Sequence, residues 1–275
     1  MTQDTQSSFV RHEPCPSCNS RDNLARYSDG HAYCFGCEYR EPAVGEVNEF
    51  NNNKEKTDMI EGQVQALSKR QIDFDTAKFY NYQVGEYNGS PVQIAPYYDT
   101  NYLLVAQHIR FPNKDFIWLG DMNGVGLFGK HKWKGNQKMI TITEGEIDAM
   151  SVSKVQGNKW PVVSVPSGAK SAKKFIKKEL EYLESFQNVV LMFDNDEAGN
   201  AASIECAQLF SPKKALISKL PLKDANDMLV SNRGKDIIHH IWNAKPYTPE
   251  GIISGEDTWD LVIQDDSKEC TPYLW

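Results

Sequence analysis

The rhythm of apolar and polar positions changes near residue 139. Beyond it, short aliphatic runs alternate with longer stretches in which apolar residues recur at helical spacing. The expected strands are residues 139–143, 161–165, 188–193 and 213–220, and the expected helices are residues 145–156, 171–185, 197–209 and 237–244. Strands that alternate with helices of this length predict an α/β fold with a parallel sheet.

The preceding segment, residues 61–138, is mixed in pattern and rich in aromatic residues. Short segments such as residues 103–109 have the composition of strands, and Asn88-Gly89 and Asn123-Gly124 predict turns. Residues 41–60 are polar and contain a run of asparagines. Because they offer few side chains for packing, we expect a flexible linker there.

Four of the six cysteines form two pairs near the N-terminus, Cys15 with Cys18 and Cys34 with Cys37. Each pair has C-x2-C spacing, which in an intracellular chain indicates metal binding rather than disulfide formation. Four thiolates that converge tetrahedrally fill the coordination shell of zinc. The pattern therefore predicts one structural Zn²⁺ in a ribbon spanning residues 1–40, whose binding would replace the core that so short a module lacks.

The net charge of −7 is concentrated near the C-terminus, where residues 250–275 carry seven acidic residues and one basic residue. Basic residues are grouped at residues 110–138 and 170–178, and each group is either a nucleic-acid contact or a solvated face. The sequence has no run of eighteen apolar residues and no signal peptide. It therefore predicts a soluble intracellular protein with no membrane partner.

Acidic residues follow three of the expected strands. They are Glu144, Glu146 and Asp148 after the first strand, Asp194 and Asp196 after the third, and Asp224 and Asp227 after the fourth. Parallel sheets of this kind bind ligands at the carboxyl ends of their strands. Carboxylate oxygens suit Mg²⁺, and two such ions can hold the attacking and leaving oxygens of a phosphoryl transfer. We therefore expect one or two catalytic Mg²⁺ at this edge.

The E-G-E-x-D and D-x-D motifs resemble the Toprim fold of primases, type IA and type II topoisomerases and related nucleases. Further motifs strengthen the resemblance: the four-cysteine ribbon, S-D-G-H at residues 28–31, L-F-G-K-H at 127–131, P-V-V-S at 161–164, M-F-D-N-D-E-A-G at 192–199 and K-D-A-N at 223–226. Over residues 10–255 the chain resembles the primase half of bacteriophage bifunctional primase-helicases.

This resemblance implies that the chain synthesises RNA primers on single-stranded DNA from ribonucleoside triphosphates during phage DNA replication. The implied domains are the zinc ribbon (1–40), the linker (41–60), an N-terminal primase subdomain with a basic groove (61–138), the Toprim catalytic domain (139–235) and a C-terminal helix with an acidic linker toward a missing helicase domain (236–275). The implied partners are a helicase, in the same chain or separate, and the replicative DNA polymerase that receives the primer. The implied location is the cytoplasm of the infected bacterial host.

The resemblance also implies roles for individual residues. Glu144 would assist proton transfer, and Mg²⁺ would be held by Glu144, Asp194, Asp196 and Asp224. Asp148 would belong to the same catalytic set, with Glu146 in support. Asp29 and His31 would help the ribbon read template bases. Arg110, Lys114 and Lys130 would line the groove for nucleotide and template.

Three other functions share parts of this pattern. A topoisomerase would need a tyrosine nucleophile on a separate large domain, for which 275 residues leave no room. A Toprim nuclease would keep the carboxylates without needing a ribbon, and a zinc-ribbon adaptor with an inactive Toprim domain would have disrupted carboxylates. Residues 124–131 imitate the phosphate-binding loop of a helicase motor but end in His131, which cannot replace the hydroxyl that binds Mg²⁺. No motor domain is therefore expected in this chain.

Overall fold

The computed structural model describes residues 7–16, 20–36, 39–41, 59–249 and 258. Contacts within the chain divide it into two compact units, Met1–Lys56 and Thr57–Trp275. Cys18 and Cys37, most of the expected linker and nearly all of the acidic tail lie outside the described residues.

The described part of the first unit is a four-stranded antiparallel sheet with its strands in chain order. The strands are β1 (Phe9–Glu13), β2 (Leu24–Tyr27), β3 (Ala32–Cys34) and β4 (Arg40–Glu41). Its small core consists of Cys15, Leu24, Ala32 and Cys34, with Tyr39 packed against it. A core of this size buries too little apolar surface to stabilise a domain alone.

The second unit begins with a five-stranded antiparallel sheet, again in chain order. Its strands are β5 (Gly62–Val64), β6 (Gln83–Tyr87), β7 (Ser90–Tyr98), β8 (Leu104–Arg110) and β9 (Phe116–Gly120), with helix α1 (Phe74–Tyr80) between β5 and β6 and short 3-10 helices at Ser68–Arg70, Met122–Gly124 and Lys130–Lys132. We call this part the N-terminal subdomain. Strand β8 confirms the strand expected at residues 103–109.

The expected turn at Asn88-Gly89 joins β6 to β7. Both residues have positive φ, 49° and 77°, which is the conformation that a two-residue hairpin requires and that asparagine and glycine tolerate. The expected turn at Asn123-Gly124 instead forms part of a 3-10 helix, because Asp121 caps it by accepting a bond from the N–H of Asn123. Helix α1 was not expected, although Asp73 caps it in the same way.

The remainder of the second unit is an α/β domain with the sheet order β11-β10-β12-β13-β14. The strands are β10 (Met139–Thr143), β11 (Val162–Ser164), β12 (Asn188–Met192), β13 (Ala215–Ile217) and β14 (Lys245–Pro246), and the helices are α2 (Glu146–Val155), α3 (Ala169–Lys178), α4 (Leu180–Glu184), α5 (Glu197–Ala207), α6 (Ala225–Val230) and α7 (Gly234–Trp242). Strands β10 to β13 are parallel, as expected, and β14 is antiparallel.

Three details of the expected α/β pattern were wrong. The long helix at residues 171–185 is two helices, α3 and α4, separated at Glu179. The fourth strand is shorter than residues 213–220, because Lys213 has a φ of 65° that no strand residue adopts. Helix α6 was missed, because six residues are too few to show a helical period.

The two parts of the second unit share one hydrophobic core. Phe128 forms an antiparallel bridge with Ser164 at the edge of β11, and the Tyr80 hydroxyl donates to the carbonyl of Val162 at 3.0 Å. The N-terminal subdomain is therefore packed firmly against the β11 side of the α/β sheet. No helix in the described residues is long and apolar enough to cross a membrane.

Candidate metal and nucleotide site

Three carboxylates meet at the carboxyl edge of the parallel sheet. One oxygen each from Asp148, Asp194 and Asp224 lies within 4.8 Å of the others. We call these three residues the acidic cluster. They come from the first turn of α2, the second residue beyond β12 and the N-cap of α6. Residues far apart in sequence converge here because parallel strands end at the same edge.

Local hydrogen bonds orient two members of the cluster. Asp224 caps α6, and its side chain accepts a bond of 2.6 Å from the N–H of Asp227. Asp148 accepts a bond of 3.0 Å from the N–H of Asn226, also in α6. Each of these carboxylates keeps a second oxygen for another partner. The ammonium of Lys223 lies 3.5 Å from Asp194 and brings a positive charge to the edge of the cluster.

The cluster is electrostatically strained without a cation. Burial and, to a smaller extent, the charges of Glu144 and Asp224 together raise the pKa of Asp194 to about 6. Burial and the neighbouring Asp224 hold the pKa of Asp148 well above its usual range. Carboxylates that repel one another in this way are stabilised by a cation among them.

Glu144 lies beside the cluster at the end of β10. Its Oε1 accepts a bond of 3.1 Å from the N–H of Ala169 at the start of α3. Its Oε2 is buried, and no donor among the described residues reaches it. A buried carboxylate oxygen without a donor, next to three carboxylates, fits a hard divalent ion such as Mg²⁺.

Asp196 lies differently from Asp194, although the D-x-D spacing suggested that both point into one cleft. Asp196 is exposed and caps α5, accepting a bond of 2.9 Å from the N–H of Gly199. It is not one of the three residues of the acidic cluster. A side chain at Gly199 would collide with the carbonyl oxygen of Asp194, which explains the glycine in this turn.

Glu146 does not join the cluster. Its Oε1 accepts bonds from the hydroxyl of Tyr97 at 2.8 Å and from Nδ1 of His108 at 2.6 Å, both in the N-terminal subdomain. Burial opposes its ionisation, but these two contacts hold the pKa of Glu146 below its usual value. Glu146 therefore contacts the N-terminal subdomain and is not one of the three residues of the acidic cluster.

The structure separates the expected basic groove into two cavities. Arg110 and Lys114 line a cavity of about 450 Å³ together with Lys69 and Arg70, and we call it the basic cavity. Lys130 lines a different cavity of about 440 Å³. There its ammonium is paired with Glu179 and lies 4.9 Å from the centre of the Tyr182 ring.

Lys69 and Arg70 were missed by the sequence reasoning. Arg70 Nη1 donates to Asn226 Oδ1 at 3.1 Å, and the N–H of Asn226 donates to Asp148. The basic cavity therefore reaches the acidic cluster through one asparagine. Lys69 and Arg70 lie in a short polar segment with no distinctive sequence pattern. The one clue to their position was Asn226, which Arg70 contacts and which is the last residue of the K-D-A-N motif.

In the first unit, Cys15 and Cys34 are buried in the same small core. The N–H of Cys15 donates to the carbonyl of Ser20 at 2.9 Å, and the N–H of Cys34 donates to the carbonyl of Tyr39 at 2.8 Å. Both expected metal-binding loops are thus closed by a backbone bond that spans five residues. Their second cysteines lie outside the described residues.

Asp29 and His31 lie together on the turn between β2 and β3. Nδ1 of His31 is 2.6 Å from Asp29 Oδ1, and the His31 ring stacks on Tyr27 with centroids 4.2 Å apart and planes 8° apart. The side chain of His31 is 36% exposed. The carboxylate and the tyrosine fix the imidazole while its Nε2 stays available to a ligand.

Two family models match the second unit. Residues 62–120 match the N-terminal a+b fold of the bacteriophage T7 DNA helicase/primase, and residues 141–229 match the Toprim-like family. A DNA helicase/primase of Enterobacteria phage T3 is 36% identical over 275 residues, covering 95% of this chain. The chain spans about half of that relative, 48% of its length.

Solved structures of primases are also similar to this chain. The crystal structure of the primase fragment of the bacteriophage T7 primase-helicase matches with 35% identity and a TM-score of 0.65, over 85% of this chain and 100% of that one. The Aquifex aeolicus primase, with its zinc-binding and RNA polymerase domains, is 12% identical with a TM-score of 0.50, over 90% of this chain and 81% of that one. At 12% identity, the similarity to the Aquifex aeolicus primase shows a shared fold only.

An antiparallel subdomain packed on a Toprim-type sheet, with carboxylates at the carboxyl edge, defines the class as a Toprim primase core. Within that class, the chain belongs to the family of phage T7- and T3-type DNA helicase/primases and corresponds to their primase fragment.

Proposed function

We propose that this chain synthesises short RNA primers on single-stranded DNA for phage DNA replication, by metal-dependent nucleotidyl transfer from ribonucleoside triphosphates. The observation that carries the proposal is the junction of the acidic cluster with the basic cavity through Asn226. A cation site next to a cavity with four basic residues suits a nucleoside triphosphate.

In this reaction the 3′-hydroxyl of one nucleotide attacks the α-phosphorus of the next. A new O–P bond forms, the bond to pyrophosphate breaks, and the hydroxyl proton is removed. One or two Mg²⁺, held by Asp194 and Asp224 with Glu144, Asp148 and Asp196, would neutralise charge on the leaving pyrophosphate. Glu144 is assigned to accept the proton, because its Oε2 is buried and has no donor among the described residues.

The basic cavity is assigned to the triphosphate and the template backbone. Arg110 and Lys114 line this cavity, and Lys69 and Arg70 extend it toward the acidic cluster. Lys130 is assigned a contact with the template rather than with the triphosphate, since it lines the second cavity. Its pairing with Glu179 would have to loosen for that contact.

The first unit is assigned to template recognition. Cys15, Cys18, Cys34 and Cys37 would hold one structural Zn²⁺, and the two similar backbone-closed loops support that assignment. Asp29 orients His31, whose Nε2 would contact template bases together with the polar tip of Asp29.

The partners are proposed from the relatives. The phage T3 relative is named a DNA helicase/primase, and a solved T7 structure has a lagging-strand DNA polymerase with the primase domains of two gp4 subunits bound to an RNA/DNA hybrid. We infer that this chain works with a helicase, in the same protein or separate, and hands primers to a replicative polymerase. The site of action would be the cytoplasm of the infected bacterial host.

Incubation with single-stranded DNA, labelled ribonucleotides and Mg²⁺ tests the proposal. Short RNA products that begin at preferred template positions are the expected result. Shortened DNA without RNA would instead show a Toprim nuclease. Binding of DNA without either product would show an adaptor, and either of these outcomes would overturn the proposal.

A further inference from the structure

A buried polar contact joins the N-terminal subdomain to the helix that carries Asp148. His108 in β8 and Tyr97 in β7 both bond Glu146 in the first turn of α2, at 2.6 and 2.8 Å. The side chains of His108 and Glu146 are only 11% and 13% exposed. Because a buried carboxylate needs compensating donors, Nδ1 of His108 carries the proton in this contact.

Aromatic rings fix the orientation of His108. Its ring stacks on Trp118 with centroids 4.3 Å apart and planes 13° apart, and on Phe116 at 4.9 Å and 21°. Trp118 also packs against Tyr97, with centroids 4.9 Å apart. The two donors to Glu146 are therefore held by one aromatic group, and they have little freedom to follow a moving acceptor.

Glu146 lies in sequence between Glu144 and Asp148, two carboxylates of the candidate metal site. Glu144 precedes it by two residues, and Asp148 follows it by two residues in the same helical turn. Helix α2 begins at Glu146, and its N-cap residue, Gly145, has no side chain that could cap it. The start of this helix is thus held in place by the bonds of Glu146 to the other subdomain rather than by a cap of its own.

We propose that His108 and Tyr97 are positioning residues for the metal site. Their bonds to Glu146 fix the first turn of α2, and through it the directions of Glu144 and Asp148. Neither residue needs to touch metal, nucleotide or template. The relevance to primer synthesis rests on the proposed function, whereas the effect on metal affinity does not.

Two substitutions at His108 separate its donor from its ring. His108→Phe keeps the aromatic stacking and removes the donor, whereas His108→Asn keeps an N–H close to the position of Nδ1 and removes most of the ring. Tyr97→Phe removes only the hydroxyl. Tyr82→Phe is the matched control, because its hydroxyl in the same subdomain donates to Gln93 at 3.0 Å and not to Glu146.

Binding of Mn²⁺ to the protein without nucleotide or template is the first readout. Groups that orient metal ligands typically change metal affinity by about tenfold or more. We expect about a tenfold weaker affinity in His108→Phe, a smaller loss in Tyr97→Phe, near-normal affinity in His108→Asn and no change in Tyr82→Phe. Primer synthesis should lose kcat in the same order, with KM for nucleotides changed less than twofold.

Three outcomes would overturn the proposal. A lower melting temperature with unchanged Mn²⁺ affinity in His108→Phe would show that the contact only stabilises the fold. A raised KM with unchanged Mn²⁺ affinity would show direct substrate binding by His108. Near-normal Mn²⁺ affinity in His108→Phe together with a loss in His108→Asn would show that the ring, not the donor, matters. If the unmodified chain bound Mn²⁺ but made no primers, the proposed function alone would fail.

Discussion

Arg70 and Asn226 exchange two hydrogen bonds across 156 residues of sequence. Arg70 Nη1 donates to Asn226 Oδ1 at 3.1 Å, and Asn226 Nδ2 donates to the carbonyl of Arg70 at 2.9 Å. Because the N–H of Asn226 also donates to Asp148, one asparagine fixes a cation-binding carboxylate and a guanidinium relative to each other. This arrangement sets the distance between the acidic cluster and the basic cavity.

Replacing Arg70 with methionine should weaken nucleotide use. In the proposed function, Arg70 lines the cavity that binds the triphosphate. A hydrogen bond to a charged group is worth about 1.5–3 kcal/mol, so the loss of such a bond from Arg70 to the triphosphate should lower kcat/KM for ribonucleotides roughly tenfold to a hundredfold, mainly through KM. Steady-state dinucleotide synthesis measures this effect. Arg233→Met is the control, because Arg233 is about half exposed and pairs with Asp236 in the first turn of α7. Equal losses in the two variants would contradict the assignment.

Asp194→Asn should nearly abolish primer synthesis. The cluster would lose a metal-binding charge, and a cost of about 4 kcal/mol in barrier corresponds to roughly a thousandfold lower rate. Asp236→Asn is the control, since Asp236 lies on α7 and outside the cluster. Gel analysis of labelled products measures both. A rate within threefold of the unmodified chain would remove Asp194 from the site.

The acidic residues should differ in their effects on stability without Mg²⁺. Asp194→Asn removes repulsion and should raise the free energy of unfolding at pH 7. Asp196→Ala removes a helix cap outside the acidic cluster and should lower it by about 1 kcal/mol. The opposite signs follow from the different positions of Asp194 and Asp196 in the structure. Urea unfolding in Mg²⁺-free buffer measures them, and equal signs would contradict this prediction.

Cys34→Ser should lose the zinc predicted for the first unit and the preference for particular template sites. Elemental analysis of the purified protein should fall from about one zinc per chain to none. Cys206→Ser is a matched control, because Cys206 is buried in the second unit and burial raises its pKa to about 12, so that it stays a neutral thiol. Unchanged site preference in zinc-free Cys34→Ser would show that the ribbon does not read the template.

Protonation of His131 should lower the free energy of unfolding in mild acid. Burial, with a contribution from Lys132, lowers its pKa to about 4, whereas in the unfolded chain it titrates near 6.5. The stability that depends on neutral His131 is therefore complete above pH 6.5 and is lost as the pH falls toward 4.

Comparison with His131→Phe isolates this effect, because phenylalanine can keep the contact with Tyr98, whose ring centre is 4.2 Å away. Between pH 7 and pH 5 the free energy of unfolding of the unmodified chain should fall by about 1 kcal/mol more than that of the variant. This value takes into account that His131 is partly exposed and therefore screened by solvent. His239→Phe, at an exposed position on α7, should not change the pH dependence. The same pH dependence in His131→Phe and in the unmodified chain would contradict the prediction.

The parallel sheet and the carboxylates at its edge could be predicted because both depend on short sequence patterns, namely apolar runs and the acidic residues that follow them. Strand β10 has the bounds expected from its apolar run, and β12 differs by one residue. Once strands are placed, the rule that parallel strands end at one edge brings Glu144, Asp194 and Asp224 into the same region. No packing information is needed for that step.

The tertiary structure decided which side chains meet at that edge. Asp194 enters the acidic cluster while Asp196 caps α5, and Glu146 turns to His108 instead of to a metal. Lys130 is paired with Glu179, 49 residues away. The sequence by itself determined the order of the elements and the kinds of side chain at their ends. The direction of each side chain depends on donors that other elements bring to it, and those donors are set only when the elements pack together.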